Sequence, residues 1–334
     1  MLHKDILTLK KEDFKPLALS VFNLQAKDNL IYKQYLELLR IQPSKINQLN
    51  EIPFLPIELF KTQEIKTGDW KEQKYFLSSG TSQHVRSKHY IKDIQWYEDI
   101  SWKIFNDQIL NLTEYQNDKI EILGLMPSAI ESPYSSLTFM IDSFARKINT
   151  IPVSTPFIAD FTEMYHRIIK NNQLKIRTIL IGVSFALVDF AELFPISSEY
   201  LSIIETGGMK SSKRQIEKAQ ILEILKDKFP QSAIYSEYGM TEMLSQSYSR
   251  DGINYNLPNC LKVVITAIDD PTNVQSSGKR GRINLIDLAN FDSCSFLQTG
   301  DAGIINADET FQVLGRIQEE ELRGCNLNYE ELIS

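Results

Sequence analysis

Three short stretches, far apart in a chain of 334 residues, carry the side chains best suited to chemistry. Ser78-Ser79-Gly80-Thr81-Ser82 is a run of small hydroxyl residues around a glycine, preceded by apolar Tyr75-Phe76-Leu77 and followed by Arg86 and Lys88. Backbone N–H groups in such a turn point inward, the hydroxyls add donors, and Gly80 permits close approach, which together suit the wrapping of phosphate oxygens. Arg86 and Lys88 would neutralise phosphate charge. The run is not a Walker A loop, which needs GxxxxGK[ST]. Tyr238-Gly239-Met240-Thr241-Glu242 follows strand-like Ile234-Tyr235 and is expected to turn at Gly239 into a helix containing Met243 and Leu244. A carboxylate at such a junction can bind a divalent ion that bridges phosphates, and a threonine hydroxyl can reach a phosphate or carboxylate oxygen. Thr299-Gly300-Asp301 sits between short β-like segments, where Asp301 can accept two hydrogen bonds from a vicinal diol. Taken singly, each stretch also fits a plain Ser/Gly turn, a strand-to-helix turn or an Asp-containing β turn.

The elements that must position these residues show in the hydrophobic periodicity. Residues 1–100 read as mainly helical, with an amphipathic helix over Asn29–Arg40, an extended apolar connector fixed by Pro53 and Pro56, and a helix over Ile94–Ile109 after the serine loop. Over 119–270 strand-like and helix-like segments alternate, which predicts a layered α/β core. Its expected strands are Ile120–Leu125, Thr178–Val183, Leu201–Glu205, Ser232–Tyr235 and Val263–Ile268, and its clearest helix is Ser212–Phe229, ended by Pro230. Over 271–334, short turn-bounded segments at Gly281–Ile286, Gly303–Ile305 and Phe311–Leu314 predict a small β subdomain and a tail. No repeat or low-complexity linker divides the chain, so 1–334 is read as one unit.

Composition bounds the function. A formal net charge of −7 argues against a nucleic-acid partner, which needs a concentrated basic face. No apolar stretch is long enough to span a bilayer, and the amino terminus lacks the apolar core of a secretory signal. Three cysteines, Cys260, Cys294 and Cys325, form no CxxC pair, and the odd number argues for a reducing cytoplasm. His84 and His89, five residues apart, do not share a helix face, and no structural metal site is expected.

In their order and separation the motifs resemble those of the acyl-adenylate-forming superfamily. The serine run resembles its phosphate loop, [ST]SG[ST]TGxPK, with Gln83 at the second glycine, Val85 at the proline and Arg86 at the lysine. Tyr238 to Glu242 resembles its YGxTE motif. The resemblance implies that Glu242 holds Mg²⁺, Thr241 contacts the substrate phosphate, and Tyr238 flanks the adenine, with Gly239 counted among the nucleotide-binding residues. Gly207-Gly208, after a candidate strand, is similar to the glycine pair against which adenine lies, although a helix-entry turn fits equally. Asp301 would bind ribose, and Arg316 resembles the arginine that meets ribose and phosphate.

Within that superfamily the closest overall resemblance, over essentially the whole chain, is to the LuxE family of acyl-protein synthetases. The implied fold is the α/β adenylate-forming N-terminal domain, with layered sheets and helices plus a small β subdomain and without the usual mobile C-terminal domain. The implied chemistry uses ATP and Mg²⁺ to activate a fatty or other carboxylic acid as its acyl-adenylate. The acyl group would move to Cys325, in Arg323-Gly324-Cys325, and then to an acyl-reductase or acyl-carrier partner. A thiolate attacking a mixed anhydride leaves a transferable thioester, although Cys325 also fits a small buried hydrophobe. Cys260 and Cys294 are expected to be structural.

Three other functions compete. The acyl group would go to coenzyme A or a carrier protein with Cys325 a bystander, or the chain would be a non-catalytic nucleotide-binding subunit. A serine acyltransferase built on Ser184 and His166 is weakened by Gly182-Val183-Ser184-Phe185-Ala186, which lacks the second glycine of GxSxG.

Overall fold

The computed structural model describes residues 2–79, 85–111, 115, 118–148, 155–207 and 217–317. Its strands in chain order are β1 (Leu55–Pro56), β2 (Lys74–Leu77), β3 (Lys88–Ile91), β4 (Lys119–Leu125), β5 (Ile176–Gly182), β6 (Leu201–Thr206), β7 (Ala233–Tyr238), β8 (Ser247–Ser249), β9 (Tyr255–Asn256), β10 (Leu261–Thr266), β11 (Gly281–Asp287), β12 (Phe296–Ile305) and β13 (Phe311–Arg316). The helices are α1 (Leu2–Leu7), α2 (Phe14–Asp28), α3 (Leu30–Leu38), α4 (Ile94–Phe105), α5 (Ser136–Ile148), α6 (Phe161–Gln173), α7 (Ser184–Leu193) and α8 (Lys218–Lys228).

One sheet runs through the molecule in the order β10-β11-β12-β13-β9-β8-β7-β6-β5-β4, with β1 parallel to β12. Its β4–β7 half is parallel and its β10–β13 half antiparallel, with β8 and β9 joining them. Parallel strands are covered on both faces, which explains their near-continuous apolar runs. Alternation divides those runs between two cores. Ile122, Ile179, Ile181, Ile204 and Tyr235 face the larger core with α4 and α5, whereas Leu123, Leu125, Leu180, Ile203 and Ile234 face the core built with α6, α7 and α8.

The predicted parallel strands form within a few residues of their expected bounds. Helix α4 starts where expected, because the Asp93 side chain accepts from the backbone N–H groups of Gln95 and Trp96, and it continues as one π-helical turn over Asn106–Leu110. Helix α8 begins at Lys218 with a Glu217–Gln220 capping box, and residues 212–216 of the longer expected helix lie outside the described residues.

Two expectations are corrected. No helix follows Gly239: the buried Asp287 carboxylate accepts from the backbone N–H groups of Leu244 and Ser245 at 2.9 and 3.0 Å, and this holds an open loop that leads into β8. Thr299-Gly300-Asp301 lies inside the ten-residue β12 instead of between short strands. A β-bulge opposite Ala302 and Gly303 absorbs the irregularity that the glycines signal in sequence.

Candidate nucleotide and acid site

Strands β2 and β3 form an antiparallel hairpin, with Leu77 opposite Lys88, whose loop is the predicted phosphate loop. The stem is fixed by local hydrogen bonds. The Ser78 N–H donates to the Ser87 carbonyl at 3.0 Å, and the Ser87 N–H to the Ser78 hydroxyl at 3.0 Å. Arg86 donates to the carbonyls of Ser78 and Leu77, so its guanidinium braces the stem. Ser79 is the last described residue before the loop tip, and Gly80, Thr81 and Ser82 lie outside the described residues.

The sheet brings the other two motifs together. Tyr238 ends β7, and its hydroxyl donates to Asp301 Oδ2 at 3.0 Å. The other carboxylate oxygen, Oδ1, meets Arg316 Nε at 3.0 Å. Asp301 is buried at the middle of the sheet, and Gly315, at φ 111°, gives the backbone turn that precedes Arg316. Burial, reinforced by the Asp301 charge, keeps the Tyr238 phenol protonated far above its ordinary range. A Cβ on Gly300 would stand 3.0 Å from Arg316 Nη1, so this glycine leaves room for the guanidinium.

Glu242 lies in the loop after Gly239 and is 5% exposed. Its carboxyl is pushed up by burial, against the pull of a hydrogen bond from the Ser87 side chain and of the Arg316 charge. The Ser87 contact joins the predicted metal ligand to the stem of the phosphate loop. Among the described residues no three His, Cys, Asp or Glu side chains converge on a point. Mg²⁺ bound through one carboxylate and substrate phosphates does not need such a cluster, and a buried carboxylate with one side-chain donor has lone pairs left for the ion. Thr241 is anchored through its backbone carbonyl, 2.7 Å from His89 Nδ1. Gly207 follows β6, and among the described residues a Cβ there would meet nothing within 4 Å. Gly208 lies outside the described residues.

The sequence reading missed the residues that hold this loop. His89, on β3 and 1% exposed, also places Nε2 3.0 Å from the Asn290 side-chain oxygen. The Asn290 amide donates to the Glu242 carbonyl at 2.8 Å. One imidazole and one amide thus tie the hairpin to two consecutive carbonyls of the Thr241-Glu242 pair. Burial lowers the His89 pKa to about 4 despite those hydrogen bonds.

The competing nucleophiles look different. The Ser184 hydroxyl, 1% exposed, donates to the Glu205 carboxylate, and His166 is exposed on α6, with no hydrogen bond between the pair among the described residues. Cys260 and Cys294 are buried, and burial pushes both thiols up to about 12, which is inconsistent with a thiolate nucleophile. Cys325 lies outside the described residues. Among those residues no helix is long and apolar enough to cross a membrane.

No protein-family profile and no curated protein sequence matches the chain. Solved structures do. The open conformation of 2-hydroxyisobutyryl-CoA ligase, in complex with 2-HIB-AMP and CoA, superposes with a TM-score of 0.66 at 12% identity, covering 92% of this chain and 70% of the ligase. The ATP-bound RpMatB–BxBclM chimera gives a TM-score of 0.53 at 14% identity over 72% of this chain and 47% of its own. The luciferase-like enzyme from the nonluminescent mealworm Zophobas morio gives 0.52 at 16% identity over 78% and 61%. The chain has the α/β fold of the acyl-adenylate-forming enzymes.

Proposed function

We propose that the chain activates a carboxylic acid with ATP. A carboxylate oxygen attacks the α-phosphorus, the bond to the bridging oxygen breaks, and acyl-adenylate and pyrophosphate form. The observation that carries this reading is the meeting of three distant motifs: Tyr238 and Arg316 on the Asp301 carboxylate, and Glu242 on Ser87 of the hairpin. Asp301 would take the ribose hydroxyls, Glu242 a Mg²⁺ ion, Thr241 the substrate phosphate, and the N–H groups and hydroxyls of Ser78 to Ser82 the triphosphate. Mg²⁺ would offset charge on the leaving pyrophosphate. Gly207 and Gly208 would receive the adenine.

For the second half-reaction, transfer to Cys325 and on to a reductase or carrier partner is the reading we favour. It is supported by the LuxE resemblance and by the burial that keeps the other two thiols protonated. The thiolate sulfur would attack the acyl carbon and expel AMP. Transfer to coenzyme A is the second reading, favoured by the fold shared with a ligase solved with CoA.

The decisive measurement is acid-dependent exchange of labelled pyrophosphate into ATP. Exchange with at least one acid from a broad panel is expected. ATP binding with no exchange across the panel would favour a nucleotide-binding subunit. Mass spectrometry after incubation with ATP and acid then reads the acceptor: an acyl adduct lost in Cys325→Ser supports the thioester, and unchanged acyl transfer in that variant sinks it.

A further inference from the structure

The chain that leaves β1 reaches the nucleotide site from a side that none of the three motifs supplies. Strand β1 runs parallel to β12, with Leu55 opposite Leu297 and Pro56 opposite Gln298, so the residues after Pro56 continue toward Thr299-Gly300-Asp301. They form a short 3-10 helical turn over Ile57–Lys61. Its apolar members anchor it: Ile57 and Phe60 are buried, and Phe60 packs edge-on against the His89 ring, 5.7 Å between centroids. Glu58, between them in sequence, stays exposed.

The Glu58 carboxylate leans over Gly300. Its Oε1 lies 3.9 Å from the point where a Cβ on Gly300 would stand, and Arg316 Nη1 lies 3.0 Å from the same point. Arg316 thus links two places: Nε meets Asp301 Oδ1 at 3.0 Å, while Nη1 shares the space over Gly300 with Glu58. The Glu58 charge also reaches Glu242, whose carboxyl it pushes up while Arg316 pulls it down. Glu58 therefore belongs to the charged group gathered around Arg316.

Asp301 has less to offer a diol than its sequence motif suggests. Tyr238 already donates to Oδ2 and Arg316 meets Oδ1, and the side chain is only 9% exposed. Two of a carboxylate's roughly four acceptor positions are thus filled from within the protein. Glu58 supplies a second, solvent-facing acceptor beside the same guanidinium.

We propose that Glu58 accepts one of the two ribose hydroxyls of ATP and Asp301 the other, so that selection of a ribonucleotide is divided between β12 and the turn after β1. This rests on the nucleotide reading above. The hydroxyl over Gly300 donates to Glu58 and accepts from Arg316 Nη1, and the missing side chain of Gly300 leaves room for it. A site built to bind a hydroxyl rejects the analogue that lacks it, because its polar groups are then left without their partner.

The full chain is titrated calorimetrically with the Mg²⁺ complexes of ATP, 2′-deoxyATP and 3′-deoxyATP, and the three are compared in pyrophosphate exchange. Wild type is expected to bind ATP at least about tenfold more tightly than either analogue. Glu58→Ala should abolish the preference over one analogue and keep the preference over the other. Glu58→Gln, which retains an acceptor oxygen, should fall between Glu58→Ala and wild type, and circular dichroism checks the fold of both variants. A common change in affinity for all three nucleotides, the signature of a purely structural or electrostatic role, overturns the proposal. Equal binding of the three by wild type, or wild-type selectivity in Glu58→Ala, overturns it as well, and leaves adenylation standing if exchange persists. Selectivity that shifts in Glu58→Ala while no acid supports exchange upholds the ribose contact and removes the adenylation reading.

Discussion

Glu205 and Glu237 stand on adjacent parallel strands, one step out of register, and are the two carboxylates nearest the point where β6 and β7 end. Glu205 is 2% exposed and fully engaged. It accepts from the hydroxyls of Ser184 and Ser236 and pairs with Lys218 at 3.2 Å. Burial opposes the charge on Lys218, but Glu205 and Tyr255 outweigh it and hold its pKa above the ordinary value. Among the described residues Glu237 makes none of these hydrogen bonds, and Lys218 acts on it only through space, against burial and the Glu205 charge. A carboxylate whose lone pairs are filled by the fold is part of the fold. One buried without such partners costs stability when it ionises.

The largest effect is expected from making Glu205 resemble Glu237. Lys218→Met removes the cation and leaves a buried anion with two hydroxyl donors. The loss should fall toward the lower end of the ~3–5 kcal/mol typical of broken buried pairs, since Lys218 is partly exposed. Urea titration at neutral pH reads it, and an unchanged midpoint would mean that the serines alone hold the charge.

The converse change sharpens the contrast through pH. The Glu237 carboxyl titrates higher in the folded chain than the ordinary 4.5, so the native state binds the extra proton and stability falls as pH rises from 4.5 to about 8. The fall should be about 2 kcal/mol, allowing for solvent screening at a half-buried group. Glu237→Gln should flatten this limb and raise stability at pH 8. If the mutant keeps the wild-type slope, the titrating group is another residue.

The two carboxylates also show what a sequence can and cannot disclose. The strands that carry them are legible because runs such as Ile203-Ile204 and Ile179-Leu180-Ile181 have the composition of buried parallel strands. The motif residues Tyr238, Asp301 and Arg316 are legible from type and order. Their mutual contacts are not, because the hydroxyl and the carboxylate that meet are 63 positions apart. Glu237 looks like any acidic residue at a strand end, since burial beside Glu205 is a property of three-dimensional surroundings. The glycine of Thr299-Gly300-Asp301 suggests a break, whereas a bulge lets the strand continue through it. Met243 and Leu244 have a helical look, but a carboxylate from β11 takes the backbone donors of Leu244 and Ser245.

His89 is the case of least signal, with partners 152 and 201 positions away, and its pH behaviour opposes that of Glu237. The Thr241 carbonyl can only accept, so Nδ1 carries a proton. A neutral ring then turns a bare Nε2 to the Asn290 oxygen, and only the imidazolium would satisfy both contacts. Among the described residues no anion touches the ring, so burial wins and the folded pKa drops from 6.5 to about 4. The unfolded chain binds the proton first, and stability should rise with pH across that window, where Glu237 makes it fall. His89→Gln keeps one donor for Thr241 and removes the titration, so the rising limb should vanish at a cost of about 1 kcal/mol at pH 8. If His89 positions Thr241 for the substrate phosphate, the variant should lower kcat in pyrophosphate exchange more than it raises KM for ATP. An equal change in both, or none, would confine His89 to stability.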